Sequence, residues 1–227
     1  MTIKVLGIVA TPVKGDTNTE ILCQAVLDAA MAQGDDVQIE VIRLSEMNLK
    51  AGCTHCNWCL ERQTPERHCA IDDDMKIIYP KLIETDTLVL ASPVYIGRMS
   101  WLLAEFIDRL RALGEGRYYG IRGPYGGAMA DKVMTSCAVA WVRHGGVETA
   151  LLSMQWLANI LGGVYISGGF GHGVGGVSAA PLGHYGAVKD DKLAMASARA
   201  VGKEIVRMTR IIKAGKDALR LVPAYVR

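Results

Sequence analysis

No uncharged apolar run of about 18 residues occurs in the chain, so no membrane-spanning helix is expected. No block of Lys or Arg stands out, and the formal net charge is only +2. Neither nucleic acid nor a membrane surface is therefore an expected partner. The opening Met1-Thr2-Ile3-Lys4 leads straight into a strand-like run, with no charged n-region, apolar h-region and cleavage site. No secretory signal is expected, and the cytoplasm is the expected location. No internal repeat and no linker divides the chain, and no G-x-x-x-x-G-K-[ST] phosphate loop is present. What remains is 227 residues, half of them apolar, which suits one domain with a large core.

The hydrophobic pattern alternates between two periods. Ile3–Ala10 is a continuous β-branched and apolar run, the signature of a strand buried on both faces. Helical spacing continues from Thr19 to about Gln33, then a strand at Val37–Leu44. Asp72-Asp73-Asp74 offers N-cap chemistry to a helix ending near Glu84. A strand at Thr87–Ser92 is expected to stop at Pro93, and a helix to span Trp101–Leu113. Lys132–Ala140 and Val164–Gly168 are the fourth and fifth strands, flanking a helix at Val147–Leu161. A last helix runs from Asp190 to about Ala214. Five strands alternating with five helices predict an α/β fold: a doubly wound five-stranded parallel sheet, for which 2-1-3-4-5 is the common strand order. One domain over 1–214, with a cysteine-rich loop at 47–72 and a tail at 215–227, is the expected organisation. Gly114–Ala130 reads as an inserted loop.

Ligands of such sheets bind beyond the carboxyl ends of the strands, where the order reverses. Two loops are placed there by the expected order. Thr11–Thr19 is rich in hydroxyls, contains Gly15 and ends at a helix N-terminus, where amides and the helix dipole favour a phosphate. An ordinary polar loop with an N-cap is the competing reading. Ser92–Gly97 combines the restriction of Pro93, the ring of Tyr95 and the open backbone of Gly97. Tyr95 could equally be a plain loop aromatic. Gly171–Gly176 formally matches G-x-G-x-x-G, but Val177-Ser178-Ala179-Ala180-Pro181 does not open a helix after it, so it is not read as a dinucleotide site.

Four of the six cysteines form a C-x2-C-x2-C-x9-C set at Cys53, Cys56, Cys59 and Cys69. Successive x2 gaps suit iron–sulfur ligation. Zinc more often uses two separated C-x2-C knuckles, and a redox pair needs only two thiols. All three remain open from spacing alone. His55 and His68 are read as bystanders. Cys23 and Cys137 are read as buried small apolar residues.

Together these stretches resemble the iron–sulfur flavoproteins, a branch of the NADPH-dependent FMN reductase superfamily. The match is carried by Asn18-Thr19, the four cysteines with Asp73-Asp74-Met75 after them, and Ser92-Pro93-Val94-Tyr95. Phe106-Ile107-Asp108-Arg109 and Arg143-His144-Gly145-Gly146 extend it. The resemblance implies a flavodoxin-like fold and non-covalent FMN. It assigns Thr11, Val13, Thr17, Asn18 and Thr19 to cofactor binding in the first loop, and Pro93, Val94, Tyr95, Ile96, Gly97, Gly145 and Gly146 to the isoalloxazine. It further implies a [4Fe-4S] cluster on Cys53, Cys56, Cys59 and Cys69, homodimers or homotetramers, and exchange with ferredoxin-like carriers. Two features depart from the pattern. The x9 gap is longer than usual, and Thr-Pro-Val-Lys stands where many relatives have Ser-x-Arg, so Lys14 would act without a bidentate fork. No catalytic acid or base is assigned, and His144, His172 and His184 are read as structural or exposed. The expected activity is flavin-dependent electron transfer. A cluster-free NAD(P)H-dependent FMN or quinone reductase is the first alternative, and a zinc-stabilised binding protein the second.

Overall fold

The computed structural model describes residues 2–124, 127–141, 145–167, 177–179 and 186–219, with the backbone alone at 177–179. In chain order the elements are β1 (Ile3–Val9), α1 (Asn18–Met31), β2 (Val37–Arg43), α2 (Trp58–Glu61), α3 (Met75–Glu84), β3 (Thr87–Tyr95) and β4 (Arg98–Met99). They continue with α4 (Trp101–Arg109), α5 (Arg111–Gly114), β5 (Val133–Val139), α6 (Val147–Leu161), β6 (Val164–Tyr165), β7 (Val177–Ala179) and α7 (Lys192–Ala218).

The main sheet runs β2-β1-β3-β5-β6 with parallel neighbours. β4 only folds back on β3 as an antiparallel hairpin. With that hairpin set aside, β5 and β6 are the fourth and fifth crossover strands, and the order is the expected 2-1-3-4-5. β7 also pairs with β5, at Cys137–Val139, whereas β6 pairs at Val133–Met134. Two short strands thus share one edge position.

Alternation along β1 divides the core. Leu6 and Ile8 face a cluster with Met75, Ile78, Tyr79, Phe106 and Leu151. Ile3, Val5 and Val9 face Leu22, Val26, Val89, Val201 and Ile205. The second layer requires α7 to lie close on α1: a Cβ on Gly202 would stand 2.3 Å from the Val26 carbonyl oxygen. Cys23 and Cys137 are fully buried as expected, and burial pushes the Cys23 thiol up to about 12.

Several boundaries differ from the sequence reading. β3 does not stop at Pro93 but runs to Tyr95, with Pro93 opposite Val139 of β5. The Ala91 carbonyl accepts from Ala10 on the β1 side. By alternation the Pro93 nitrogen faces that same side, where β1 has already ended at Val9 and needs no donor. The helix expected over Trp101–Leu113 breaks at Leu110. The Arg109 carbonyl accepts from the Tyr79 hydroxyl at 2.9 Å, and Leu113 N turns to the Leu110 carbonyl instead. The last helix begins at Lys192, after a 3-10 turn at Ala187–Asp190, and continues past Ala214 to Ala218. The fifth strand is shorter than expected, ending at Tyr165. His144, His172, His184, Gly171–Gly176 and the tail from Arg220 lie outside the described residues. No described helix is long and apolar enough to cross a membrane.

Candidate functional site

Three loops leave the carboxyl ends of β1, β3 and β5, and backbone contacts hold them together. Ser100, fully buried, donates its hydroxyl to the Ala10 carbonyl at the end of β1. The same oxygen caps α4 by accepting from Leu103 N at 3.2 Å, while Ser100 N donates to the Ser92 hydroxyl at 2.9 Å. The third loop packs on the second, because a Cβ on Gly146 would lie 2.4 Å from the Gly97 Cα. Gly146 also has φ +91°, a region that excludes most side chains.

The first loop is shaped by its own hydroxyls. Thr11 Oγ1 accepts from Val13 N, and Thr17 caps α1 by accepting from Glu20 N, both at 3.3 Å. Asn18 Oδ1 accepts from Val188 N at 3.1 Å, tying the start of α1 to the turn before α7. Thr11, Thr17 and Thr19 are buried and Lys14 is exposed. In the second loop Ile96 and Gly97 form the two-residue turn of the β3–β4 hairpin, with φ +48° and +71°. Both values are positive, as in the hairpin turns that normally carry Asn-Gly. Ile96 is 99% exposed there, and Tyr95 beside it is exposed as well. Thus Pro93–Gly97 and Gly145–Gly146 share one place, beside Thr11–Thr19.

The cysteine segment is built differently. It leaves the carboxyl end of β2, but the bonds that hold it run to α3, the far end of α4, α5 and residues 115–119. It is thereby braced on the α3–α4–α5 face. Asp73 and Arg109 form a fully buried, two-pronged ion pair with contacts of 2.7 and 3.1 Å. Asp73 also accepts from Lys50 N and Met75 N, and Arg109 donates to the Ala51 carbonyl at 2.9 Å. Both ends of the segment are thereby pinned to one helix. Burial raises the Asp73 carboxyl, but Arg109 and the amides outweigh it and hold it below the usual carboxylate range. Asp74 does not cap α3 with its side chain, although the run of three aspartates predicts capping there.

A second brace is Gln63, which is 1% exposed. Its amide donates to the His68 and Ala112 carbonyls and accepts from Tyr118 N and Tyr119 N. The Tyr119 hydroxyl reaches the Pro65 carbonyl, and Arg117 N donates to the Cys59 carbonyl. His55 and Asn57 have φ +55° and +58°, so the Cys53–Cys59 loop curls tightly.

Within this frame Cys53 and Cys56 are exposed, Cys69 is half-buried and Cys59 is buried. Burial raises the Cys59 thiol, the Arg111 guanidinium lowers it, and the neighbouring Cys69 and Cys53 raise it again. Arg111 also meets His55 Nδ1 at 3.1 Å, and its guanidinium is held above its usual range by Glu115 and the nearby Cys53. Three thiols are therefore electrostatic neighbours beside a cation. Among the described residues, however, no three His, Cys, Asp or Glu side chains converge closely enough to hold a metal ion.

The polar accounting of this region is incomplete in a telling way. The buried side-chain atoms without a hydrogen-bond partner among the described residues are Asn57 Oδ1, His68 Nε2 and Arg109 Nε. Each such atom costs about 1–3 kcal/mol, and all three belong to the cysteine segment or its brace. The four thiolates suit the donor chemistry of a sulfur-rich group, although Asn57 Oδ1, an acceptor, would gain no partner from its sulfurs. Sequence reasoning missed Gln63, Tyr79, Arg111 and Tyr119, and read Asp73 and Arg109 only as parts of motifs.

Residues 3–173 match the model of the NADPH-dependent FMN reductase family. An iron-sulfur flavoprotein of Methanocaldococcus jannaschii is 32% identical over 213 residues, 92% of this chain and 99% of that protein. One from Methanosarcina thermophila is 27% identical, covering 94% of this chain and 99% of that protein. Among solved structures, RosB with a bound 8-demethyl-8-formylriboflavin-5'-phosphate intermediate superposes with a TM-score of 0.71 at 14% identity, covering 96% of this chain and 87% of that one. A flavodoxin from the Archaea gives 0.53 at 10% identity, covering 92% and 99%. The doubly wound sheet agrees with these structures, and the family model and the Methanocaldococcus relative place the chain: it belongs to the iron–sulfur flavoproteins of the NADPH-dependent FMN reductase family.

Proposed function

We propose that this flavin-dependent oxidoreductase binds FMN across the β1, β3 and β5 loops and passes electrons between it and a [4Fe-4S] cluster on Cys53, Cys56, Cys59 and Cys69. The joining of those loops through Ser100–Ala10 and Gly146–Gly97 carries the reading. Thr11, Val13 and Thr17–Thr19 would receive the phosphate at the start of α1, whose dipole favours an anion. Pro93–Gly97 and Gly145–Gly146 would flank the ring, with backbone free of side chains where the two loops touch. When bound, the flavin supplies two-electron and the cluster one-electron chemistry. The chain's own contribution is to hold the loops fixed, exclude water and keep the thiols beside Arg111. A ferredoxin-like carrier as exchange partner, and a homodimer or homotetramer as assembly, belong to the same proposal.

The separation of the thiols in this structure favours one further reading, a cluster-free NAD(P)H-dependent FMN or quinone reductase. The test is an ultraviolet–visible spectrum of anaerobically purified protein, with iron, sulfide and zinc assayed on the same sample. Flavin with about four irons per chain supports the cluster. Flavin without iron selects the reductase, and zinc without flavin discards both.

A further inference from the structure

At the amino ends of β3 and β5, the opposite end of the sheet from the crevice, lies a cavity of about 270 Å³. Three lysines line it: Lys132 just before β5, and Lys213 and Lys216 on α7. Two of them are matched. Lys213 pairs with Asp86 at 2.6 Å and Lys216 with Asp131 at 3.1 Å, and both carboxylates also line the cavity. Lys132 is different. This half-buried residue donates from Nζ to the Ile83 carbonyl at 2.9 Å and to the Thr85 carbonyl, and it has no carboxylate partner among the described residues. Capping the end of α3 accounts for those two bonds, but an ammonium has three donors. The lining therefore carries three cations against two anions, and the unmatched cation is held in place by two carbonyls. A charge without a counter-ion is costly to bury. Burial pushes the Lys132 amine down to about 8, with Asp86 opposing the fall and Lys216 and Lys213 adding to it. Much of the remaining wall is apolar, including Ile83, Ala128, Val133 and Ile212.

We propose that this cavity binds a small organic carboxylate, whose anionic head takes Lys132 as its counter-ion and whose apolar body lies on Ile83, Val133 and Ile212. The head supplies the single missing negative charge and accepts from the third Lys132 N–H. A phosphate dianion overshoots that charge and gains little from the apolar wall, and chloride has no body to bury. The site is separated from the crevice by the length of the strands, so the inference stands independently of the flavin and cluster readings.

The probe is butyrate, titrated calorimetrically into the protein as purified, with uncharged butyramide, inorganic phosphate and chloride as comparisons. We expect one saturable butyrate site per chain and no butyramide binding. Affinity should fall about tenfold between pH 7 and pH 9, because only the ammonium form of Lys132 pairs with the anion. Asp86, Asp131, Lys213, Lys216 and Tyr119 also face the cavity, so a variant assigns the titration. Lys132→Met keeps most of the side chain's length and removes its charge. Butyrate binding should weaken at least tenfold in it, with flavin content unchanged. Should that variant not fold, acetic anhydride labelling of the wild type answers the same question. Peptide mass spectrometry should then show Lys132 acetylated several-fold more slowly with butyrate present, and unprotected by butyramide. No saturable butyrate binding overturns the proposal and leaves Lys132 as a cap for α3. Equal affinity in folded Lys132→Met, or equal labelling with and without butyrate, overturns it too. Phosphate or butyramide binding as tightly as butyrate overturns the carboxylate assignment.

Discussion

The two halves of this site follow opposite rules of construction. The crevice is made from short loops at strand ends, joined by the Gly146 backbone on Gly97 and by one small side chain, the Ser100 hydroxyl on the Ala10 carbonyl. The cysteine segment spans about as much chain as a small motif yet has only the single turn α2. Its own Gln63 and the adjoining Asp73 give it shape by bonding distant partners, chiefly Arg109, Ala112 and Tyr119. A sheet supplies geometry at its edge without further investment in side chains, while an irregular segment must be bolted at each end. The first kind of site should therefore break by bulk, the second by loss of a partner.

The largest effect is expected at the bolt. Asp73→Ala leaves Arg109 buried and unpaired, and should lower unfolding free energy by about 3–5 kcal/mol in urea titrations. Iron should be lost before flavin, because only the cysteine segment hangs from that pair. The Asp73 carboxyl is held below its unfolded value, which is about 3.9. The unfolded chain then binds more protons as pH falls, so the ion pair's contribution is complete above about pH 4 and disappears below it. Repeating the titrations from pH 6 to pH 2 should show the wild type and Asp73→Ala converging; a constant gap would mean the pair does not carry the effect.

A smaller and opposite failure is expected in the crevice. Gly146→Ala places a Cβ against the Gly97 backbone at positive φ, a strain of roughly 1–3 kcal/mol. Flavin titration should show at least tenfold weaker binding, with iron content unchanged. Equal loss of both cofactors would show the two regions to be one unit. The smallest effect is expected at the hairpin tip. Ile96 holds φ +48° while fully exposed, and Ile96→Asn gives the turn its preferred residue. Thermal unfolding should rise by the equivalent of about 0.5–1 kcal/mol, and flavin affinity measured on the same variant reports whether the isoleucine touches the ring.

The contrast also explains what is legible in the sequence. The strands and two of the crevice loops follow from hydrophobic period and from Gly and Pro placement, all local signals. The order of the sheet comes from the commonest doubly wound arrangement, and the Gly145–Gly146 loop from the family resemblance. Helix α6 is legible to the residue because Gly146 and Gly162 delimit it. The break at Leu110 is not, because a hydroxyl from Tyr79, 30 positions earlier, causes it. Gln63 carries no local signal at all: three of its four partners are set by how the segment folds onto residues 112–119, and the fourth is the His68 carbonyl within it. The run Asp72-Asp73-Asp74 does mark the start of α3, with Asp73 accepting from Met75 N, but it hides a second role. Its middle member is drawn into the core by Arg109, which helix chemistry alone does not reveal.

The divided edge strand has a consequence for colloidal behaviour. A long, flat, unpaired edge invites another chain to add a strand, and proteins defend against this by shortening or charging their edges. Among the described residues β6 and β7 contribute two and three residues to that edge, so the described part is short at each. At the opposite edge β2 alternates buried residues with Gln38 and Glu40, and Glu40 is engaged by Lys81. Among the described residues, one margin of the sheet is thus guarded against self-templated growth by interruption and the other by charge.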